Sequence, residues 1–185
     1  MRIIRGNWKS RRINPPANLP VRPTTDLAKE ALFNVLENTL DFDDLEVLDL
    51  FAGTGNISFE FASRNAQQVT AVEQNFRCAE FIRKTAHDLN MPQLTCIRSN
   101  VFRFLKTAKK QYHLIFADPP YDLTQLQTLP ELIFQHNLLF TNGIFVLEHS
   151  KMNDFSAHEH FIRCREYGKT VFSFFLCKRE NYAIL

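Results

Sequence analysis

The most informative stretch of this sequence is Val47-Leu48-Asp49-Leu50-Phe51-Ala52-Gly53-Thr54-Gly55, an apolar run followed by two closely spaced glycines. The run is typical of a buried β-strand. The whole chain has only 5 glycines, so a pair within three positions marks a specific turn. Because glycine lacks a Cβ, a ligand can approach the backbone there, beside the start of the next helix. The stretch predicts a strand, a ligand-binding turn and a helix.

The rest of the chain continues this alternation of strands and helices. A helix is expected to begin at Thr24-Thr25-Asp26, where a hydroxyl or carboxylate can cap the free amides. Short apolar runs typical of strands lie at 47–51, 69–73, 94–97, 114–117, 144–148 and 170–176. Helix-length segments separate most of them, which predicts a parallel sheet. No helix fits between the last run and Tyr182-Ala183-Ile184-Leu185, so we expect a closing antiparallel hairpin. The fold class is a doubly wound, mainly parallel seven-stranded α/β sheet.

The N-terminal segment differs from this core in charge and in proline content. Six cations precede the first acidic residue, Asp26, and they are Arg2, Arg5, Lys9, Arg11, Arg12 and Arg22. Prolines at 15, 16, 20 and 23 prevent a continuous helix. We therefore expect a basic extension or hairpin over residues 1–23 and the main domain over 24–185. Charge alone leaves a nucleic-acid contact and a solvated surface as equal alternatives.

Composition narrows the class of protein. The 185 residues, with 45 % hydrophobic content and a net charge of +2, suit one globular domain and leave no room for a second catalytic domain. No apolar run has the length of a membrane helix, and no signal peptide follows Met1, so a cytoplasmic protein is expected. The 4 cysteines lack paired metal-ligand spacing, which predicts reduced thiols and no metal.

An acidic residue follows the glycine turn at an informative distance. Glu73 ends the second strand about 20 residues beyond Gly53, the spacing at which a carboxylate accepts hydrogen bonds from ribose hydroxyls. Both a dinucleotide and S-adenosylmethionine carry that ribose. Position 58 is Ser, so the third glycine of the dinucleotide fingerprint is missing, and a nicotinamide enzyme would need a substrate domain. The alternative interpretation is a tight turn beside a solvated Glu73.

The tetrapeptide Asp118-Pro119-Pro120-Tyr121 follows the fourth strand, at the same predicted sheet edge. Two prolines fix the backbone and remove two N–H donors, which leaves carbonyl acceptors beside an aromatic ring. Such a set suits an exocyclic amine, whose lone pair is delocalised into its ring. Hydrogen bonds to Asp118 and the Pro119 carbonyl would localise the lone pair while Tyr121 stacks on the base. A proline-rich turn with a core tyrosine is the alternative.

With these residues the sequence resembles the class I S-adenosylmethionine-dependent methyltransferases, specifically the RsmD-like family that methylates the exocyclic amine of a guanine in 16S ribosomal RNA. Arg22-Pro23-Thr24-Thr25-Asp26 is the most specific matching segment. The resemblance implies a Rossmann-like fold with Arg22, Thr24 and Thr25 near the target pocket and Asn100 facing adenine. Phe51 and Phe102 are further candidates for adenine contact. The implied cofactor residues are Asp49, Gly53, Gly55, Glu73, Asn100 and Asp118.

These observations predict direct transfer of a methyl group to guanine N2, with Asp118, Pro119 and Tyr121 as the catalytic set and no metal. Arg5, Lys9 and Arg12 would hold the RNA backbone, together with Arg22, Thr24, Thr25 and Tyr121 near the base. The expected partner is 16S RNA, free or within a small subunit, and the expected protein is a monomer. An amino-methyltransferase for DNA adenine or protein glutamine, and a non-catalytic RNA-binding module, are the alternatives.

Overall fold

The computed structural model describes residues 1–17, 19 and 25–178. Within this part of the chain, the α-helices are Asp26–Glu37 (α1), Asn56–Ser63 (α2), Phe76–Asp88 (α3), Val101–Thr107 (α4) and Leu129–Gln135 (α5). The strands are Glu46–Leu50 (β1), Gln68–Glu73 (β2), Leu94–Arg98 (β3), Tyr112–Ala117 (β4), Leu139–Ser150 (β5), Phe161–Tyr167 (β6) and Thr170–Leu176 (β7). A single turn of 3-10 helix at Leu126–Thr128 precedes α5. All six strand-like runs predicted ahead of position 180 therefore form strands.

The strands form one seven-stranded sheet in the order β3-β2-β1-β4-β5-β7-β6. Pairing is parallel from β3 through β5 and antiparallel where β7 joins β5 and β6. The doubly wound, mainly parallel fold with a closing hairpin is thus confirmed. Apolar side chains fill both faces: α2 and α3 pack on one, and α4 and α5 on the other. Strands β1 to β3 are added toward one edge of the sheet, and β4 and the later strands are added on the other side of β1. This change in the direction of strand order between β1 and β4 leaves a crevice at their carboxyl ends.

The closing hairpin differs from the prediction in its second strand. β7 pairs with β6, at Phe161–Tyr167, which the sequence analysis did not identify as a strand. β6 is an edge strand with mostly exposed side chains, so it lacks the continuous apolar run by which the other strands were found. The expected strand at Tyr182-Leu185 lies outside the described residues.

The first helix begins where the sequence predicted. Thr25 has extended backbone, and its side-chain oxygen accepts a hydrogen bond from the Ala28 N–H at 3.2 Å. This bond satisfies one of the free amides at the start of α1, which stabilises the helix by about 1 kcal/mol. The cap also fixes Thr25 at the rim of the crevice, where it contributes to the cavity wall.

The N-terminal segment folds back on itself and packs against the sheet domain. An antiparallel bridge joins Arg2 to Arg12, and Ile3 and Ile13 are buried in the same core cluster as α1 and α2. We call residues 1–13 the N-terminal arm. The division expected between residues 23 and 24 falls within residues 20–24, outside the described part, and stays a prediction.

One buried carboxylate on α2 attaches this arm to the domain. Glu60 accepts hydrogen bonds from the backbone N–H groups of Ile4 at 2.8 Å and Arg5 at 3.0 Å. Its carboxylate also pairs with Arg64 at 2.8 Å and with Lys29 at 3.5 Å. Burial lowers the pKa of Lys29, and the neighbouring Glu60 charge opposes that effect. The N-terminal arm is therefore held in place by the buried carboxylate of Glu60, whose charge is matched by cations and whose oxygens accept hydrogen bonds from the arm.

Replacing this carboxylate is expected to destabilise the protein strongly. Glu60→Ala would leave Lys29 buried with two neutral acceptors, the Arg2 carbonyl and Asn56, but without its acidic partner, at a cost of about 3–5 kcal/mol in the free energy of unfolding. Urea denaturation measures the loss. The matched control is Glu80→Ala, which removes the exposed Glu80–Arg83 pair and should cost less than about 1 kcal/mol. Equal losses for both variants would contradict the structural role of Glu60.

Candidate active site

A cavity of about 1080 Å³ opens at the carboxyl ends of the central strands. Its wall receives residues from the turn after β1, from the ends of β2, β4 and β5, and from the hairpin before β7. A carboxylic acid from each of the four strand ends lines it: Asp49, Glu73, Asp118 and Glu148. The cavity therefore lies at the crevice that the strand order creates, where doubly wound folds bind their ligands.

The turn after β1 has an unusual backbone. Phe51, Gly53 and Gly55 all have positive φ, of 60°, 56° and 78°. A phenylalanine adopts this left-handed region only when its surroundings enforce it, and such strain is concentrated at functional sites. Phe51 and Gly53 line the cavity, with the Phe51 ring edge-on to Phe102, and their contact with the cofactor stays a prediction. The turn thus presents its backbone to a ligand at Gly53.

Gly55 has a structural role beside the ligand contact predicted for it. It precedes α2 and does not contribute to the cavity wall. A Cβ there would come within 2.9 Å of side-chain atoms of both Ile82 and Phe59. Glycine is therefore required at position 55 for its positive φ and for close packing of α2 on α3, whereas direct ligand contact at this position stays a prediction.

Glu73 is held in one orientation by two backbone donors. Its Oε2 accepts a hydrogen bond from the Gly53 N–H at 2.8 Å, and its Oε1 accepts one from the Asn75 N–H at 2.6 Å. The side chain is only 6 % exposed but lines the cavity. Each carboxylate oxygen can accept more than one hydrogen bond, so both retain capacity for the hydroxyl groups of a ribose. This arrangement fits the predicted role of Glu73.

Asp49 contributes a second carboxyl group, deeper in the wall. It is 1 % exposed and accepts a short hydrogen bond from the Ser58 hydroxyl. Burial raises the pKa of Asp49 to about 7, and the charges of Asp118 and Glu73 act in the same direction. Ser58, which interrupts the glycine fingerprint, thus serves as a hydrogen-bond donor to Asp49. Near neutral pH this group can exist with or without its proton.

The tetrapeptide after β4 forms the opposite side of the cavity. The Pro120 carbonyl accepts a hydrogen bond from the Leu123 N–H at 3.0 Å, which closes a turn. The Pro119 carbonyl accepts no hydrogen bond from any residue in the described part of the chain. Asp118 and Pro119 line the cavity, and Tyr121 lies at its edge with 68 % of its surface exposed. The three predicted catalytic residues are therefore brought together, with an acceptor and an exposed ring available.

Asn100 lies beside the cavity without lining it. Its side chain caps α4 by accepting the Arg103 N–H at 3.2 Å, and it donates to the Gln74 side chain at 3.4 Å. Gln74 and Val101 line the cavity instead. The expected contact of Asn100 with adenine remains a prediction. Of the three residues in the specific N-terminal motif, Thr25 lines the cavity, while Arg22 and Thr24 lie outside the described residues.

The predicted RNA-binding cations of the arm lie away from the cavity wall. Arg5 forms an ion pair with Glu37 at 2.7 Å, and Arg2 lies 3.7 Å from Asp26. These acidic partners lie far from the two arginines in the sequence. The lack of acidic residues close to the arginines along the chain therefore gave no indication that they would form ion pairs. Within the described residues, the exposed side chains of Lys9, Arg11 and Arg12 form no ion pair.

The residues on the β5 side of the cavity were not among those predicted from the sequence. Glu148 and Ser150 come from β5, Lys169 comes from the turn between β6 and β7, and Thr170 is the first residue of β7. A signal was present, because Glu148 ends the apolar run at 144–148 just as Glu73 ends the run of β2. Its meaning depends on the strand order, which places β5 beside β4.

The charge of the cavity limits the kind of ligand it can hold. Four acids and one lysine line it, so an anionic diphosphate would be repelled and a cationic ligand attracted. S-adenosylmethionine carries a positive sulfonium, and a nicotinamide dinucleotide carries a diphosphate. The described residues hold no group of three or more His, Cys, Asp or Glu side chains arranged for a metal. They also include no helix long and apolar enough to cross a bilayer.

Comparisons with known sequences agree with this geometry. A family model described as Conserved hypothetical protein 95 matches residues 1–176. The chain is 32% identical over 148 residues to ribosomal RNA small subunit methyltransferase D of Buchnera aphidicola, covering 80% of this chain and 75% of that one. It is 31% identical over 178 residues to the Haemophilus influenzae protein of the same name, covering 94% and 91%.

Solved structures with the same fold include known and proposed methyltransferases. The Escherichia coli protein yhhF superposes with a TM-score of 0.85 at 26% identity, covering 96% of this chain and 98% of that one. An RNA methyltransferase from Salinibacter ruber, solved in complex with S-adenosyl-L-homocysteine, superposes with a TM-score of 0.67 at 14% identity, covering 86% and 95%. The second similarity supports the fold alone.

Removing the Glu73 carboxylate should weaken the binding of S-adenosylmethionine. Glu73→Gln keeps the side-chain shape but would lose the charge on the hydrogen bonds expected with ribose, so affinity should fall by about 1–3 kcal/mol. Titration calorimetry measures the change. The control is Glu80→Gln, on the exposed side of α3, which should bind normally. Wild-type affinity in Glu73→Gln would remove Glu73 from the site.

Cofactor binding should also depend on pH through Asp49. A cation in the cavity favours the ionised carboxylate, so S-adenosylmethionine affinity should rise as pH increases through about 7. Below that value a proton must first leave, which lowers the affinity by at most about tenfold per pH unit. Calorimetry between pH 6 and 8 is expected to show this slope for the wild type and a flatter one for Asp49→Asn. Identical slopes would exclude Asp49 as the source.

Proposed function

The chain belongs to the RsmD-like methyltransferase family, and from that premise we propose that it transfers a methyl group from S-adenosylmethionine to the exocyclic N2 amine of a guanine in 16S ribosomal RNA. One observation carries the proposal: a single cavity joins the Gly53–Glu73 contact to Asp118-Pro119-Pro120-Tyr121. The Gly53–Glu73 contact suits an adenosine, and the Asp118-Pro119-Pro120-Tyr121 segment suits an amine on a planar base. A cytoplasmic location, where ribosomal RNA is made, is part of the proposal.

The cofactor of the family is S-adenosylmethionine, and the residues of this chain fit it. When bound, it supplies a methyl group activated by a positive sulfonium. Glu73 would accept hydrogen bonds from the ribose, and the positive φ of Gly53 lets the backbone approach the ligand. Asp49 and Asp118 would surround the cationic part with negative charge. The acidic wall thus favours the charged cofactor over its neutral-sulfur product.

Asp118 and Pro119 would prepare the amine for attack. A base amine has two N–H groups, and the Asp118 carboxylate and the Pro119 carbonyl supply two acceptors on one side of the cavity. Hydrogen bonds to both would draw the nitrogen toward a pyramidal shape and localise its lone pair. The exposed ring of Tyr121 would stack on the base.

Transfer then needs no covalent enzyme intermediate. With the amine held by Asp118 and Pro119, the N2 lone pair would attack the methyl group that the bound cofactor would supply, and the electron pair of the broken carbon–sulfur bond would stay on sulfur. The methylated amine loses one proton, which Asp118 accepts directly or through water. Proximity and alignment of the two reactants within one cavity would account for much of the rate.

The direct assay incubates purified protein and labelled S-adenosylmethionine with ribosomal RNA or small subunits from cells lacking the protein and, in separate reactions, with DNA and soluble protein from the same cells. We expect label in N2-methylguanosine of 16S RNA after digestion to nucleosides and mass spectrometry. Label in N6-methyladenosine would favour the adenine alternative, and label in protein would favour the glutamine alternative. Cofactor binding without transfer to any of these substrates would favour a non-catalytic RNA-binding role.

Asp118→Ala should abolish most of the transfer while cofactor affinity stays within a few-fold of wild type. The reason is that Asp118 is expected to act on the amine, whereas Glu73 holds the ribose. Turnover and calorimetry measured on the same preparation separate the two effects. The matched control is Asp122→Ala, an exposed acid four residues further that does not line the cavity. Substantial turnover by Asp118→Ala would rule out the amine-localising mechanism.

The N-terminal arm would dock the RNA backbone. Lys9, Arg11 and Arg12 are exposed and free of ion pairs within the described residues, so their charges are available to phosphates. Arg5 belongs to the same predicted surface, but Glu37 offsets its charge. Contacts to phosphate fix position without reading sequence, so the arm would orient the RNA while the cavity selects the base.

Neutralising the three unpaired cations should flatten the salt dependence of RNA binding. Each phosphate contact contributes about 0.7–0.9 to the log–log slope, so Lys9→Ala/Arg11→Ala/Arg12→Ala should reduce its magnitude by roughly 2–3. Binding to 16S RNA is measured from low to high salt, with calorimetry to confirm normal cofactor affinity. The triple variant Arg77→Ala/Arg83→Ala/Lys84→Ala on α3 serves as the charge-matched control. An unchanged slope in the arm variant would show that RNA docks elsewhere.

A further inference from the structure

Glu148 is a buried acid in the cavity wall for which the mechanism above has no role. It is only 4 % exposed, and its Oε2 has no hydrogen-bond partner among the described residues. Its Oε1 is 3.5 Å from the Thr170 hydroxyl, a long and weak contact. Buried carboxyl groups are costly without partners, so an unsatisfied one in a ligand cavity indicates a partner on the ligand.

The strand order places Glu148 on the substrate side of the cavity. Gly53 and Glu73 follow β1 and β2, on one side of β4, and Glu148 lies on β5, on the other side. In the parallel pairing of β4 with β5, Ala117 lies opposite Leu147. Asp118 directly follows the last residue of β4, and Glu148 follows Leu147 on β5. The two acids therefore stand side by side, and the charge of Asp118 acts on Glu148.

The bases with exocyclic amines differ in the group beside that amine. In guanine the neighbour of N2 on the Watson–Crick edge is N1–H, a donor, and O6 follows it. In adenine and cytosine the neighbour of the amine is a ring nitrogen with a lone pair, which is an acceptor. An oxygen acceptor placed beside the amine site would therefore bind guanine and leave adenine or cytosine without a matching partner.

We propose that Glu148 is a specificity-determining residue that accepts a hydrogen bond from N1–H of the target guanine, beside the amine held by Asp118 and Pro119. This role rests on the proposed function and extends it to the choice of base. The orphaned Oε2 would gain the partner that the described protein residues do not supply. Discrimination would come from the penalty that other bases incur when this buried acid stays unmatched.

The ionisation of Glu148 is compatible with this role. Burial and, to a smaller extent, the nearby Asp118 charge together raise the pKa of Glu148 to about 8. Near neutral pH the group is therefore largely protonated in the absence of RNA. A protonated carboxyl group accepts N1–H through its carbonyl oxygen and can donate its own O–H to O6. Guanine matches both groups of the acid. 2-Aminopurine keeps the N2 amine but has a lone pair at N1 and no O6, so it can accept the O–H at N1 but offers no donor to the carbonyl oxygen.

The test compares guanine with 2-aminopurine at the methylated nucleotide. 16S RNA is assembled by ligation with either base at the position that methylation mapping identifies, and transfer is measured for the wild type, Glu148→Leu and Glu148→Gln. The wild type should prefer guanine by roughly 10–100-fold. Glu148→Leu should reduce that ratio to a few-fold, whereas Glu148→Gln, whose amide retains a donor and an acceptor, should keep most of it.

A merely structural role would lower the rates on both RNAs equally and leave the ratio unchanged, which would overturn the assignment. The same conclusion would follow if the wild type did not discriminate between the two bases. Folding is not expected to obscure the result, because leucine removes a buried carboxyl group that makes only one long contact among the described residues. S-adenosylhomocysteine binding to both variants checks this. Failure of the proposed function is distinct, because the wild type would then produce no N2-methylguanosine on the guanine RNA.

Discussion

The hydrogen bond between the Gly53 N–H and the Glu73 carboxylate is the constraint on which the site depends. It joins the turn after β1 to the end of β2, two elements that adjacent parallel strands bring to one sheet edge. The turn needs positive φ at Phe51 and Gly53 to aim that N–H, and the acid needs the N–H to keep its orientation. The turn and the acid together form a preorganised binding surface. Little conformational entropy is therefore lost when a ligand binds there.

Two buried acids illustrate how this chain separates stability from function. Glu60 receives two backbone amides and two cations, and it holds the N-terminal arm in place. Glu148 is buried to a similar degree but has one long contact and an orphaned oxygen. The first is satisfied within the protein, and the second is complete only with a ligand. The arm and the cavity are thus neighbours, with α2 between them, but the buried acid of the arm stabilises the fold whereas the buried acid of the cavity serves a ligand.

Much of the fold and the core of the site could be predicted, because local patterns carry them. Alternating apolar runs located the strands of the parallel sheet, and glycine spacing located the turn. The edge strand β6 was missed because its side chains are mostly exposed. Glu148 was missed because its significance comes from β5 lying beside β4, and the Arg5–Glu37 pair because its partners are distant in sequence. Such errors arise where tertiary contacts determine the role of a residue.

The most direct test is to map N2-methylguanosine in the 16S RNA of cells that lack this protein and of the same cells carrying either the wild-type gene or Asp118→Ala. The account predicts that one guanine loses its N2-methyl group in the deletion, regains it with the wild type and stays unmodified with Asp118→Ala. An unchanged set of N2-methylguanosines in the deletion strain, or full restoration by Asp118→Ala, would contradict it.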